Sequence, residues 1–120
     1  MPLAKIFISI SLILYPIIFL NAESRDEILR KGKELYNGAG SCVACHMPNG
    51  KGQKGTIPPL AGSDWLKDGS ARSIAISLRG LAGPIKVNGK HFYSAMPPQL
   101  LFDDQKLAYI LSNVKNAKGN

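Results

Sequence analysis

The sequence predicts an all-α fold of three to four helices joined by long loops. Three observations point to it. Apolar residues recur at helical spacing in three separate stretches, within 24–36, 70–82 and 103–114. Between them lie segments dense in glycine and proline with little periodicity, above all 47–62. Strand-like alternation is confined to Ile85-Lys86-Val87-Asn88-Gly89-Lys90, which turns at Asn-Gly, so any sheet is tiny. At 120 residues the chain makes one small domain.

Residues 1–22 read as a secretory signal, which leaves 23–120 as the folded domain. Lys5 forms a short positive region, Ile6 to Leu20 is apolar or hydroxyl-bearing throughout, and Leu20-Asn21-Ala22 ends in a small residue suited to cleavage before Glu23. The alternative is a retained membrane anchor. Against it, the apolar stretch of about fifteen residues is shorter than the roughly 20 that span a bilayer comfortably, and Pro16 interrupts it. No cysteine stands near its end, which excludes a lipoprotein anchor.

Ser24 is placed to cap the first helix, with Glu27 three residues on to complete a capping box. Ile28, Leu29, Gly32, Leu35 and Tyr36 then share one face. Gly32 costs about 1 kcal/mol relative to alanine in mid-helix, so close packing is expected there. Residues 37–40 end the helix. The loop 47–62 has one apolar part, Ile57-Pro58-Pro59-Leu60. Trp65 brings one N–H donor that needs a partner when buried. Ser70 opens a second helix to about Leu81, with Ile74, Ala75, Leu78, Leu81 and Ala82 on its inner side, closed by Gly80, Gly83 and Pro84. Asp103 caps the last helix, whose buried stripe is Leu107, Ile110, Leu111 and Val114, and the tail from Lys115 is polar and expected to fray.

The chemistry is concentrated in Cys42-Val43-Ala44-Cys45-His46. Two thiols two residues apart with a histidine directly after is the spacing of c-type haem attachment. Each thiol can add to one vinyl group on the same porphyrin edge, while the short turn delivers the imidazole of His46 to the iron. A zinc site needs four protein ligands or three and a water, and two cysteines with two histidines make a poor set. A dithiol redox site usually has strands around it, which this sequence lacks. One covalent haem, wrapped by the helices and loops, would also supply apolar bulk that so small a domain cannot provide alone. The Pro58 carbonyl is suited to accept the second ring N–H of His46. Trp65 is read either as a propionate donor or as an ordinary core residue. For the other face of the iron three methionines exist: Met1 belongs to the leader, Met47 is too close to His46, and Met96 sits in the stiff Tyr93-Ser94-Ala95-Met96-Pro97-Pro98. The competitor His91 stands beside the turn and reads as a surface residue.

The formal charge is +7 and the pI about 9.6. Such a balance favours acidic partners. The lysines are scattered rather than clustered in a run or stripe, which argues against nucleic acid.

On these residues the chain resembles a class I monohaem cytochrome c of the small bacterial type. Four features carry the resemblance: Gly32 with Tyr36; the attachment motif followed by Gly50-Lys51-Gly52; Pro58 twelve residues after His46; and Met96-Pro97. It implies that Gly32 and Tyr36 pack against an aromatic of the last helix, here Tyr109, and that Leu60 lies on the haem face. Met47 departs from relatives that carry a small residue there. The segment 58–65 is similar to cytochrome domains that serve periplasmic dehydrogenases and terminal oxidases. The expected function is therefore that of a periplasmic electron carrier rather than an enzyme. Its partners would be redox proteins with acidic docking surfaces, and the membrane would be involved only if the leader is retained. The alternatives are a haem subunit permanently docked in a larger oxidoreductase, and a haem enzyme or sensor with an open distal site.

Overall fold

The computed structural model describes residues 22–38 and 42–117. In chain order these form α1 Arg25–Asn37, α2 Cys42–His46, α3 Asp64–Lys67, α4 Ser70–Arg79, β1 Ile85–Val87, β2 Lys90–Phe92 and α5 Asp104–Ala117. The expected leader lies outside the described residues, apart from Ala22. Among the described residues no helix is long and apolar enough to cross a membrane.

The two long helices, α1 and α5, cross closely. Ser24 is extended and its hydroxyl accepts from the Glu27 backbone N–H at 3.2 Å, while the Glu27 carboxylate turns to Arg30 at 2.6 Å. The crossing point is Gly32. A Cβ there would lie 2.0 Å from the Tyr109 carbonyl oxygen and 2.8 Å from the Asn113 Cβ. Beside it the Asn113 side-chain amide donates to the Leu29 carbonyl at 3.2 Å. Tyr36, one turn further on, is fully buried with Leu66, Ile110 and Val114. Tyr109 therefore meets α1 through its backbone. Its ring lies against the Lys31 ammonium, 5.3 Å away, and its hydroxyl donates to Glu23 at 2.6 Å.

The hairpin forms where Asn88-Gly89 predicts it, with Ile85 opposite Phe92 and Val87 opposite Lys90. Both turn residues have positive φ, 49° and 77°, the requirement of the tight turn that matches strand twist. In α5 the Asp103 carboxylate accepts the Lys106 N–H at 2.8 Å, and Leu107, Ile110 and Val114 are buried. The helix continues to Ala117, so Lys115 is held rather than frayed, its ammonium donating to the Ser70 hydroxyl at 3.1 Å.

α4 overturns the expected face. Ser73 and Ser77 are buried, whereas Ile74 and Leu78 are 41% and 45% exposed. The serine hydroxyls donate back to the carbonyls of Ser70 (2.9 Å) and Ser73 (2.8 Å), so their burial leaves no donor unmet. Ser73, Ile76 and Ser77 line a cavity, where thin side chains leave room that leucines would fill.

Candidate functional site

Residues from all five helices, the first strand and the loops between them converge on this cavity, an apolar-walled space of about 250 Å³. One wall is α2. Cys42 is half-buried and Cys45 exposed, and His46 at its end is 8% exposed. The His46 Nδ1 lies 3.1 Å from the Pro58 carbonyl oxygen. That oxygen can only accept, so the proton sits on Nδ1 and the Nε2 lone pair is free for a metal. Burial holds the His46 pKa below the ordinary imidazole value, against the opposing effect of the Pro58 bond. The ring is thus kept neutral, as a ligand must be.

The loop that brings Pro58 round is built on two glycines. The Gly50 carbonyl accepts from Leu60 N–H (2.7 Å) and Ala61 N–H (2.9 Å). Gly52, at φ 66°, donates to the His46 carbonyl at 3.0 Å, and a Cβ on it would stand 2.3 Å from the Ile57 carbonyl oxygen and 2.7 Å from that of Pro58. Only glycine allows the chain to pass so close. Met47 also adopts a left-handed conformation, φ 65°, with its carbonyl receiving the Tyr36 hydroxyl at 2.7 Å. Its side chain is 39% exposed and does not line the cavity, so it does not crowd His46 from within.

On the side formed by 81–96, the Met96 backbone pairs with Leu81 in both directions, at 2.8 and 2.9 Å. Gly80, at φ 74°, closes α4 under it, with space for a Cβ denied by the Met96 carbonyl oxygen at 2.7 Å. His91 is exposed, does not line the cavity, and stacks on Tyr93 at 6.5 Å.

All seven residues singled out from the sequence, Cys42, Cys45, His46, Pro58, Leu60, Trp65 and Met96, line the cavity. Trp65 requires a correction as a propionate donor. Its indole N–H already donates to the Lys86 carbonyl at 2.8 Å, and it offers its ring face to the Arg72 guanidinium, 4.8 Å from the centroid. Arg72 is the one charged residue among the described residues that line the cavity. Two thiols, a neutral imidazole, a thioether, apolar walls and a single cation fit a large flat apolar ring that carries iron and acidic edge groups.

The family model for cytochrome c matches residues 29–118. The chain belongs to the cytochrome c family. It is similar to two cytochromes c-552 of Thermus thermophilus. Each is 32% identical over 93 residues covering 74% of this chain, and the match spans 69% of the first relative and 61% of the second. The family and these relatives place the chain among class I monohaem cytochromes c, which carry one covalent c-type haem with its iron, and Cys42 and Cys45 stand in the attachment motif. The sequence missed several of this cytochrome c's cavity residues, among them Phe102 and Arg72. Phe102 had a signal: with Asp103 as cap it and Leu107 occupy the two positions of a hydrophobic staple. Arg72 had none, since an exposed cation on a helix reads as ordinary surface charge.

Proposed function

We propose that this cytochrome c is an exported, periplasmic one-electron carrier whose iron is ligated by His46 and Met96. It would move electrons between a dehydrogenase or reductase and a terminal acceptor. The observation that carries the proposal is that the neutral imidazole of His46 and the thioether of Met96, fifty residues apart, line one cavity, each on a backbone fixed by pairing. When bound, the haem supplies a ferric/ferrous couple that the soft thioether biases toward ferrous. The residues here hold that couple. Pro58 fixes the His46 tautomer, Leu60 and the apolar wall exclude water, and Arg72, the cation of the lining, would offer its guanidinium to the acidic edge groups of the ring. With both axial positions taken there is no place for a substrate, which separates a carrier from an enzyme or sensor. The direct check on attachment is extraction of the acid-denatured holoprotein with organic solvent. Thioethers survive this, so the colour stays with the protein; colour passing into the solvent would refute attachment at Cys42 and Cys45.

A permanently docked haem subunit is the second reading. It is favoured by Leu100 and Leu101, 80% and 87% exposed and absent from the cavity wall, close after Met96. Co-purification from native membranes separates the two.

Docking of the carrier rests on charge. Lys51, Lys54, Lys86 and Lys90 are all exposed, two on the loop that carries Pro58 and two on the hairpin whose Ile85 and Val87 line the cavity. They form a positive rim that steers an acidic redox partner to the haem edge. Exposed charges are screened beyond about 10 Å at 0.1 M salt, so the second-order rate with an acidic partner should fall steeply as salt rises. Charge reversal of the four lysines should lower that rate and flatten its salt dependence with the haem spectrum intact. A rate indifferent to salt would deny the rim any part in docking.

A further inference from the structure

Residues 81–96 form a strap. Its ends meet in the Leu81–Met96 pair, its middle is the hairpin, and its tip is the Asn88-Gly89 turn. Residues from both this hairpin (Ile85, Val87) and α3 (Trp65, Leu66) line the cavity, so a seam of the cavity wall runs between the two elements. Two reciprocal bonds span it. The Asp64 backbone N–H donates to the Asn88 Oδ1 at 2.9 Å, and the Asn88 backbone N–H donates to the Asp64 Oδ1 at 3.0 Å. The Trp65 indole N–H reaches the Lys86 carbonyl beside them.

We infer that Asp64 and Asn88 form a latch that holds the strap closed over the haem cavity, which makes both of them positioning residues for its Met96 side. The role rests on Met96 as the distal ligand. Neither residue touches the cavity, and both are exposed. Their bonds compete with water, so the latch opens more readily than the buried crossing of α1 and α5. Opening at the tip leaves the Trp65 to Lys86 bond as the remaining link described across the seam, while the Leu81–Met96 pair still holds the base. The strap then swings as one piece, and solvent and small ligands gain access from the seam. The pairing has the economy of a closed ring, in which each residue uses its own backbone N–H and one side-chain oxygen. The turn geometry is separable from the latch, because glycine accepts the φ of 49° that Asn88 adopts.

Four full-length holoproteins test it: Asp64→Ala, Asn88→Gly, the double variant, and Asp64→Asn, which keeps the accepting oxygen. Two quantities are read, the rate at which imidazole binds the ferric iron and the hydrogen exchange of the hairpin amides. Loss of either bond should speed both by about fivefold, the scale of one net hydrogen bond. The double variant should be fastest, and Asp64→Asn should stay near wild type. Rates unchanged in Asp64→Ala and Asn88→Gly overturn the latch, as does exchange that rises equally in α1 and α5, the mark of general destabilisation. If the wild type lacks a sulfur-to-iron band, Met96 ligation has failed, while hairpin exchange still decides whether the latch exists.

Discussion

Alanine at position 32 is expected to lower the melting temperature of the holoprotein by roughly 10 °C. Glycine is a poor helix former, and in open surroundings the substitution would gain about 1 kcal/mol. Here the new Cβ falls 2.0 Å from the Tyr109 carbonyl oxygen and 2.7 Å from its carbon, both of them backbone atoms that cannot rotate away. α1 and α5 must separate by an ångström or more. That loosens Tyr36 against Ile110 and Val114 and lengthens the bond from Asn113 to Leu29. Overpacking of this kind costs about 1–3 kcal/mol or more, and in a domain of this size each kcal/mol moves the midpoint by about 4–8 °C. Differential scanning calorimetry of the variant checks it. A melting point at or above that of the wild type would mean that the crossing is looser than the structure has it.

Replacing Met96 with alanine should have the largest effect on function. As the proposed distal ligand its thioether would stabilise ferrous iron, so its loss should lower the midpoint potential by a sizeable fraction of the roughly 0.8 V over which axial ligands set haem potentials. The variant should also bind carbon monoxide or imidazole at the vacated position. Stability should suffer less than in the glycine variant, because the backbone of residue 96 stays paired with Leu81. Potentiometric titration reads the first effect and ligand binding the second. His91→Ala is the control. His91 is exposed and stacked on Tyr93, away from the cavity, and its removal should change neither quantity.

The features legible in the sequence were those written in neighbouring residues. Ser24 announces α1, Asn88-Gly89 the hairpin, Asp103 the start of α5, and Cys42 to His46 the attachment chemistry, because caps, turns and short motifs act over four or five positions. Pro58 was legible through its fixed spacing from His46. What the sequence hid depends on contacts across the fold. α2 and α3, five and four residues long, are too short to show a period. The inner face of α4 was misassigned because apolar residues were expected to face inward. In fact that face lines a cavity built for a cofactor, and the small Ser73 and Ser77 line it together with Ile76. Gly80 read as a helix stop, although its lack of a side chain equally serves the Met96 carbonyl that lies against it. Trp65 lines the cavity, but the Lys86 carbonyl that accepts its indole N–H stands twenty-one residues away, and no local pattern names it.

The proposed closure of the iron on both faces, by His46 and Met96, is tested most directly by the near-infrared absorption spectrum of the ferric wild-type holoprotein at neutral pH. A weak sulfur-to-iron band, absent from Met96→Ala and retained in His91→Ala, is the predicted result. A high-spin spectrum without that band in the wild type, or a band that survives loss of Met96, would contradict it.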